Sequence, residues 1–205
     1  MNLKTYESDL RRRLSELSAV SRVAFAVACA ERLRTAYSRS LSTEVERLTR
    51  RALDLAWECA ASGGVVSAKT PEILWSLEER LCPDDEIAAG EASFRAQALL
   101  IAVLYALRQV NCGDGDDAYW VARQLTDAID RQAQSQLDVG LLTTEGERTL
   151  ETNPSIAGEI RRQLLDLEEA SRVEANAASL SSIRHRARLA DASLERALGV
   201  DAVDS

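Results

Sequence analysis

The run Ala98-Leu99-Leu100-Ile101-Ala102-Val103-Leu104-Tyr105-Ala106-Leu107 decides how this chain folds. It is apolar nearly all round over two turns, as a helix buried by other helices must be. It is too short to cross a bilayer, which takes about 20 residues. The run lies in a segment from about Ile87 to Val110. Asp84-Asp85-Glu86 opens that segment, and the loop chemistry of Asn111-Cys112-Gly113-Asp114-Gly115 closes it. A helix buried on all sides needs amphipathic neighbours, and the flanking sequence supplies them.

Upstream, Tyr6, Leu10, Leu14 and Leu17 recur at helical spacing. A broadly apolar helix from about Ser18 to Tyr37 carries Val20, Val23, Ala24, Val27 and Ala28. Thr43-Glu44-Val45-Glu46 has capping-box spacing, and Val45, Leu48, Ala52, Leu55 and Cys59 follow it on one face until Ser62-Gly63-Gly64. Thr70-Pro71 predicts an N-cap with proline at the first helical position, opening a short helix to about Leu81. Downstream, Asp116-Asp117 opens a helix carrying Tyr119, Val121, Ala122, Leu125 and Ile129. Asn153-Pro154-Ser155 opens another, and a last one runs from about Leu180 to Leu198. Nothing alternates with the period of a strand. The prediction is an all-α fold: one compact bundle of about seven helices over residues 1–200, with 201–205 as a frayed acidic tail. Its core is expected from the second and third helices and the Ile87–Val110 helix.

Composition narrows the class. Among 205 residues, 46% are hydrophobic and 28% charged, with only 3 Pro and 9 Gly. These values exclude collagen-like, low-complexity and wholly disordered chains and favour long uninterrupted elements. Arg and Lys number 25 against 33 Asp and Glu, a net charge of −8. Phosphate contacts supply most non-specific nucleic-acid affinity, so this balance argues against a nucleic-acid partner. The acidity is concentrated: residues 61–150 carry 7 basic and 15 acidic side chains, while residues 1–60 carry 11 and 8. The opening residues show neither a signal-peptide pattern nor an apolar anchor, so a soluble cytoplasmic protein is expected, without membrane contact. The four cysteines, Cys29, Cys59, Cys82 and Cys112, are widely spaced, and free thiols are the expectation.

Motifs for chemistry are few. His185 is the sole histidine and sits between Arg184 and Arg186, which disfavour the imidazolium that a general base must pass through. It reads as a solvated helix residue. Asp114, Asp116 and Asp117 suggest a calcium loop, but Tyr119 and Leu125 occupy the places where that loop needs Gly and Glu. No metal and no cofactor are expected. Arg50, Asp54 and Glu58 fall four apart on one helix face, which a ladder of opposite charges explains.

The stretch Arg50-Arg51-Ala52-Leu53-Asp54-Leu55-Ala56-Trp57-Glu58 resembles the Arg-Arg-x-Leu-Asp-Leu-x-Trp-Glu segment of the YjaG-like bacterial family, domain-of-unknown-function family 416. Phe25, Cys29-Ala30-Glu31-Arg32 and Tyr37 are similar to its Phe…Cys-Glu-Arg…Tyr segment, with Ala30 added. Asn153-Pro154-Ser155-Ile156 resembles its Asn-Pro-Ala-Val. The resemblance covers about residues 6 to 180. It implies a compact all-α domain and no established activity, cofactor or catalytic residue.

Two functions fit these observations. The first is a non-catalytic interaction protein, most concretely an immunity-type inhibitor that masks a basic protein partner such as a toxin-like effector. It would be a monomer or homodimer, and its partner-binding residues are expected at Asp84, Asp85, Glu86, Asp114, Asp116 and Asp117. A continuous 87–110 helix would hold those two acidic groups about 36 Å apart at 1.5 Å per residue. The 114–117 group is favoured, because its glycines allow close approach. The alternative is a carboxylate enzyme working in the bundle core through Glu31, Asp54 and Glu58.

Overall fold

The computed structural model describes residues 3–81, 91–112, 115–136, 153–173, 177–189 and 192–200, and over these the chain is all-α. The helices are α1 (Leu3–Glu16), α2 (Ala19–Tyr37), α3 (Thr43–Ala61), α4 (Thr70–Glu78) and α5 (Glu91–Cys112). They continue as α6 (Gly115–Gln136), α7 (Pro154–Ala170), α8 (Ala177–Arg188) and α9 (Ala192–Ala197). That is nine helices among the described residues, where the sequence leads one to expect about seven. Part of the excess comes from the C-terminal region, where the single helix expected over Leu180–Leu198 is divided. A tight turn from the Leu189 amide to the Arg186 carbonyl closes α8, and Leu194 of α9 and Leu198 just beyond it are buried.

The centre of the molecule is α2. Its residues from Val23 to Leu33 are all buried, and α3, α5, α6, α7 and α8 pack around it. Alanine at positions 24, 26, 28 and 30 explains the crowding: short side chains let neighbours approach from several sides. The apolar run of α5 behaves as its composition requires. Leu99, Leu100, Val103 and Leu107 are fully buried, and α5 lies against α2, α3 and α6. One continuous core runs from Tyr6 in α1 to Leu198 beyond α9.

Local chemistry sets the ends. Ser18 caps α2 by accepting from the Ser21 amide at 3.2 Å. Ser42, not Thr43, caps α3, accepting from the Val45 amide at 3.3 Å. The residue three beyond the cap is then Val45, so the capping box expected from Thr43-Glu44-Val45-Glu46 does not form. Gly63 and Gly64 end α3 at φ of +73° and +96°, a region that side-chain-bearing residues rarely adopt. Thr70 belongs to α4 itself and its side chain is buried; Lys69 holds the cap position without a side-chain bond. Asn153 caps α7 through the Ser155 amide at 2.8 Å, with Pro154 in the first turn. No helix among the described residues is long and apolar enough to cross a membrane.

The outer face of α6 carries a local conflict. Asp127 and Asp130 lie one turn apart, and partial burial raises the pKa of each, with the Asp127 charge adding to the effect on Asp130. An acid whose pKa rises on folding costs stability above its unfolded pKa, and that cost vanishes in acid. Asp130→Asn keeps an acceptor for Gln134 Nε2, which donates to Asp130 Oδ2 at 2.7 Å. At neutral pH the variant should be more stable by up to about 0.5 kcal/mol, a gain limited by solvent screening. The gain should disappear below about pH 4, near the ordinary aspartate pKa. Urea midpoints at the two pH values check both parts.

Candidate functional site

Apart from Arg22 in its first turn, the charged residues of α2 are Glu31, Arg32 and Arg34, and two arginine–carboxylate clusters grow from these three. Arg32, 6% exposed, donates through Nη2 to Glu159 Oε1 of α7 at 2.7 Å and through Nη1 to Asp166 Oδ2. Asp166 Oδ1 accepts from Arg186 Nη2 of α8 at 2.7 Å, and Arg186 Nη1 donates to Glu169 Oε1 at 2.9 Å. Gln163 Nε2 donates to Glu159 Oε1 and to the Ala122 carbonyl, and Tyr6 Oη donates to Gln163 Oε1. Helices α1, α2, α6, α7 and α8 are thereby joined through one polar chain. Burial works against the Arg32 charge, but Glu159 and Asp166 more than offset it and hold its pKa well above the ordinary value. Burial also pushes up the neighbouring Cys29 thiol, so this thiol is not a thiolate nucleophile. The hydrogen bond from Arg186 lowers the pKa of Glu169.

The second cluster joins α2, α3 and α8. Glu31 Oε1 accepts from Arg34, and Glu31 Oε2 accepts from the Trp57 indole at 3.0 Å. Arg188 Nε lies 3.6 Å from Glu31 Oε2. Asp54 accepts from Arg184 at 2.9 Å and Arg188 at 2.7 Å. Glu31 and Asp54, two of the three carboxylates of the enzyme alternative, thus hold helices together. Glu58, the third, is exposed on the outer face of α3, at a cleft shared with Arg50, Asp54 and Lys69. His185 is exposed. Among the described residues, no three His, Cys, Asp or Glu side chains converge in a metal-binding group.

The partner-binding residues expected from the sequence separate. Asp84, Asp85, Glu86 and Asp114 lie outside the described residues, as does Cys82. Asp116 and Asp117 stand in the first turn of α6, where the helix dipole favours carboxylates. Asp116 is exposed and accepts from Arg11 of α1 at 2.9 Å. Asp117 is buried, with Arg108 at 3.7 Å, so its charge does not face solvent beside Asp116. One turn further on, Trp120 is 41% exposed and meets Tyr119 edge-on at 5.2 Å. The Arg11 guanidinium lies 3.7 Å over the Tyr119 ring and 5.7 Å from that of Trp120. Trp120 and Arg11 were not among the expected site residues. The signal for Trp120 was its position four residues after Asp116, on the same helix face. Nothing local linked Arg11 to them.

No protein-family model and no curated protein match this chain. Its structure is similar to the crystal structure of a DUF416 family protein from Shewanella baltica OS155, with a TM-score of 0.71 and 16% sequence identity. The match covers 86% of this chain and 92% of that one. The fold is therefore that of a DUF416 family protein, as the resemblance in α2, α3 and α7 implies.

Proposed function

We propose that this protein is a non-catalytic interaction protein, an immunity-type inhibitor that binds and masks a basic protein partner. The observation that carries the proposal is the corner between α1 and α6. An exposed tryptophan and an exposed carboxylate, Trp120 and Asp116, share one helix face, with Arg11 bracing both. Trp, Tyr and Arg dominate binding hot spots, because large rigid rings bury much area at little entropic cost. Asp116 adds a carboxylate, shared with Arg11, that a basic partner would meet. The use of Glu31 and Asp54 as helix ties supports the same reading over a carboxylate enzyme. Complementary charge should act mainly on the encounter rate, and salt should screen it.

The test uses the full chain as bait in its source cell and then measures association with the purified partner. Trp120→Ala should weaken binding by at least about 2 kcal/mol, roughly thirtyfold, mainly through dissociation. Asp116→Asn should slow association at low salt and have little effect at high salt. Undiminished binding in both variants would remove the corner from the interface. Turnover of a small substrate that is lost in Glu58→Gln would favour the enzyme instead.

A further inference from the structure

A cleft of about 410 Å3 opens between α2, α7, α8 and α9, away from the α1–α6 corner. We propose that it binds a small aliphatic carboxylate. Its volume falls within the range of small-molecule sites, about 300–1,000 Å3. Leu165 and Leu189, 57% and 54% exposed, line it together with Ala36 and Leu194. A single exposed leucine needs no explanation, but two lining one concavity give a hydrocarbon tail a place to lose water.

The polar side of the cleft selects the head group. Arg32, Arg162 and Arg186 line it, and guanidinium groups donate without accepting. The carboxylate among the lining residues is Asp166, and both its oxygens are engaged, Oδ2 by Arg32 and Oδ1 by Arg186. The site thus offers mainly N–H donors. Arg32, which lines the cleft, has a buried Nε with no hydrogen-bond partner, so its guanidinium keeps one donor unspent. The guanidinium-bearing side chains of Arg162 and Arg186 remain 30% and 36% exposed at the edge of the network. A ligand that matches both sides carries acceptor oxygens at one end and hydrocarbon at the other. Inorganic anions leave the leucines wet, and an alkylammonium sets donors against donors. Because each arginine is already paired with Asp166, Glu159 or Glu169, the head group shares donors and meets little excess positive charge. Affinity is therefore expected to be modest, with a Kd of about 1 mM or below.

This inference does not rest on the proposed partner. The experiment is calorimetric titration of the intact protein with sodium hexanoate, sodium acetate and hexylammonium chloride. Hexanoate should bind saturably at one site, acetate at least tenfold more weakly, and hexylammonium not at all. Leu189→Asp, at an exposed position that should not disturb folding, should weaken hexanoate at least tenfold, and Arg162→Gln severalfold. Asp116→Asn and Trp120→Ala should leave hexanoate binding unchanged, so this site can fail or stand apart from the partner surface. No saturation by hexanoate, equal binding of hexylammonium, or full affinity in both Leu189→Asp and Arg162→Gln would overturn the proposal.

Discussion

Arg32→Met should destabilise the fold by about 3–5 kcal/mol, the cost of breaking a buried ion pair by removing one partner. For a chain of this size that is a fall in Tm of about 6–20 °C. The reason is what remains behind. Glu159 and Asp166 are 0% and 2% exposed, and without Arg32 two carboxylates stay buried with less opposing charge. A methionine fills most of the volume, so the loss reports charge and not a cavity. One further measurement separates the causes. Adding Glu159→Gln and Asp166→Asn to Arg32→Met should recover at least half of the loss, because the orphaned charges are gone. A single variant within about 1 kcal/mol of the parent at neutral pH would show that the network does not hold the helices.

Helix faces were legible in the sequence because periodicity reports them directly. Tyr6, Leu10 and Leu14 are buried, as their spacing predicts. The all-round apolar run at 98–107 does become a buried helix, and Gly63-Gly64 does end α3. Boundaries failed where two residues could serve the same purpose. Ser42 and Thr43 can both cap, and local residue type does not decide between them. The split of the last helix was illegible for a different reason: a turn at Leu189 is rewarded by burying Leu194 and Leu198, which is a tertiary gain. The ion-pair network shows the deeper limit. Arg32 meets Glu159 and Asp166 across 127 and 134 positions of sequence, and no local pattern encodes such a pairing. What the sequence did show was Glu31-Arg32-Leu33-Arg34 following a long apolar stretch of the same helix, a set of charges that burial forces to find partners. The candidate surface was half legible. Acidity drew attention to Asp116, but Asp117 was drawn inward by the packing of α6 on α5, and Arg11 arrived from α1.

Trp57→Ala should cost about 3–5 kcal/mol, the usual range for deleting a large aromatic ring from a packed core. The residue is 1% exposed, and it has two duties that can be measured apart. Its ring fills space between α2 and α3, and its indole N–H donates to Glu31 Oε2 at 3.0 Å. Trp57→Phe keeps most of the ring and removes the donor, so it should cost about 1–3 kcal/mol, the penalty for an unsatisfied buried acceptor. Glu31 keeps Arg34 on its other oxygen, which holds that penalty to the lower part of the range. The Arg184 guanidinium lies 5.7 Å from the Trp57 ring while bonding Asp54, so α8 leans on this tryptophan as well. Loss of the ring should therefore loosen α8 beyond the global effect. Native-state hydrogen exchange should show amides of α8 opening more readily in Trp57→Ala than global unfolding alone explains, and Trp57→Phe should leave them close to the parent. Equal destabilisation by Phe and Ala would assign the whole effect to the Glu31 hydrogen bond. Unchanged α8 exchange in Trp57→Ala would mean that the ion pairs to Asp54, Asp166 and Glu169 secure that helix without the tryptophan.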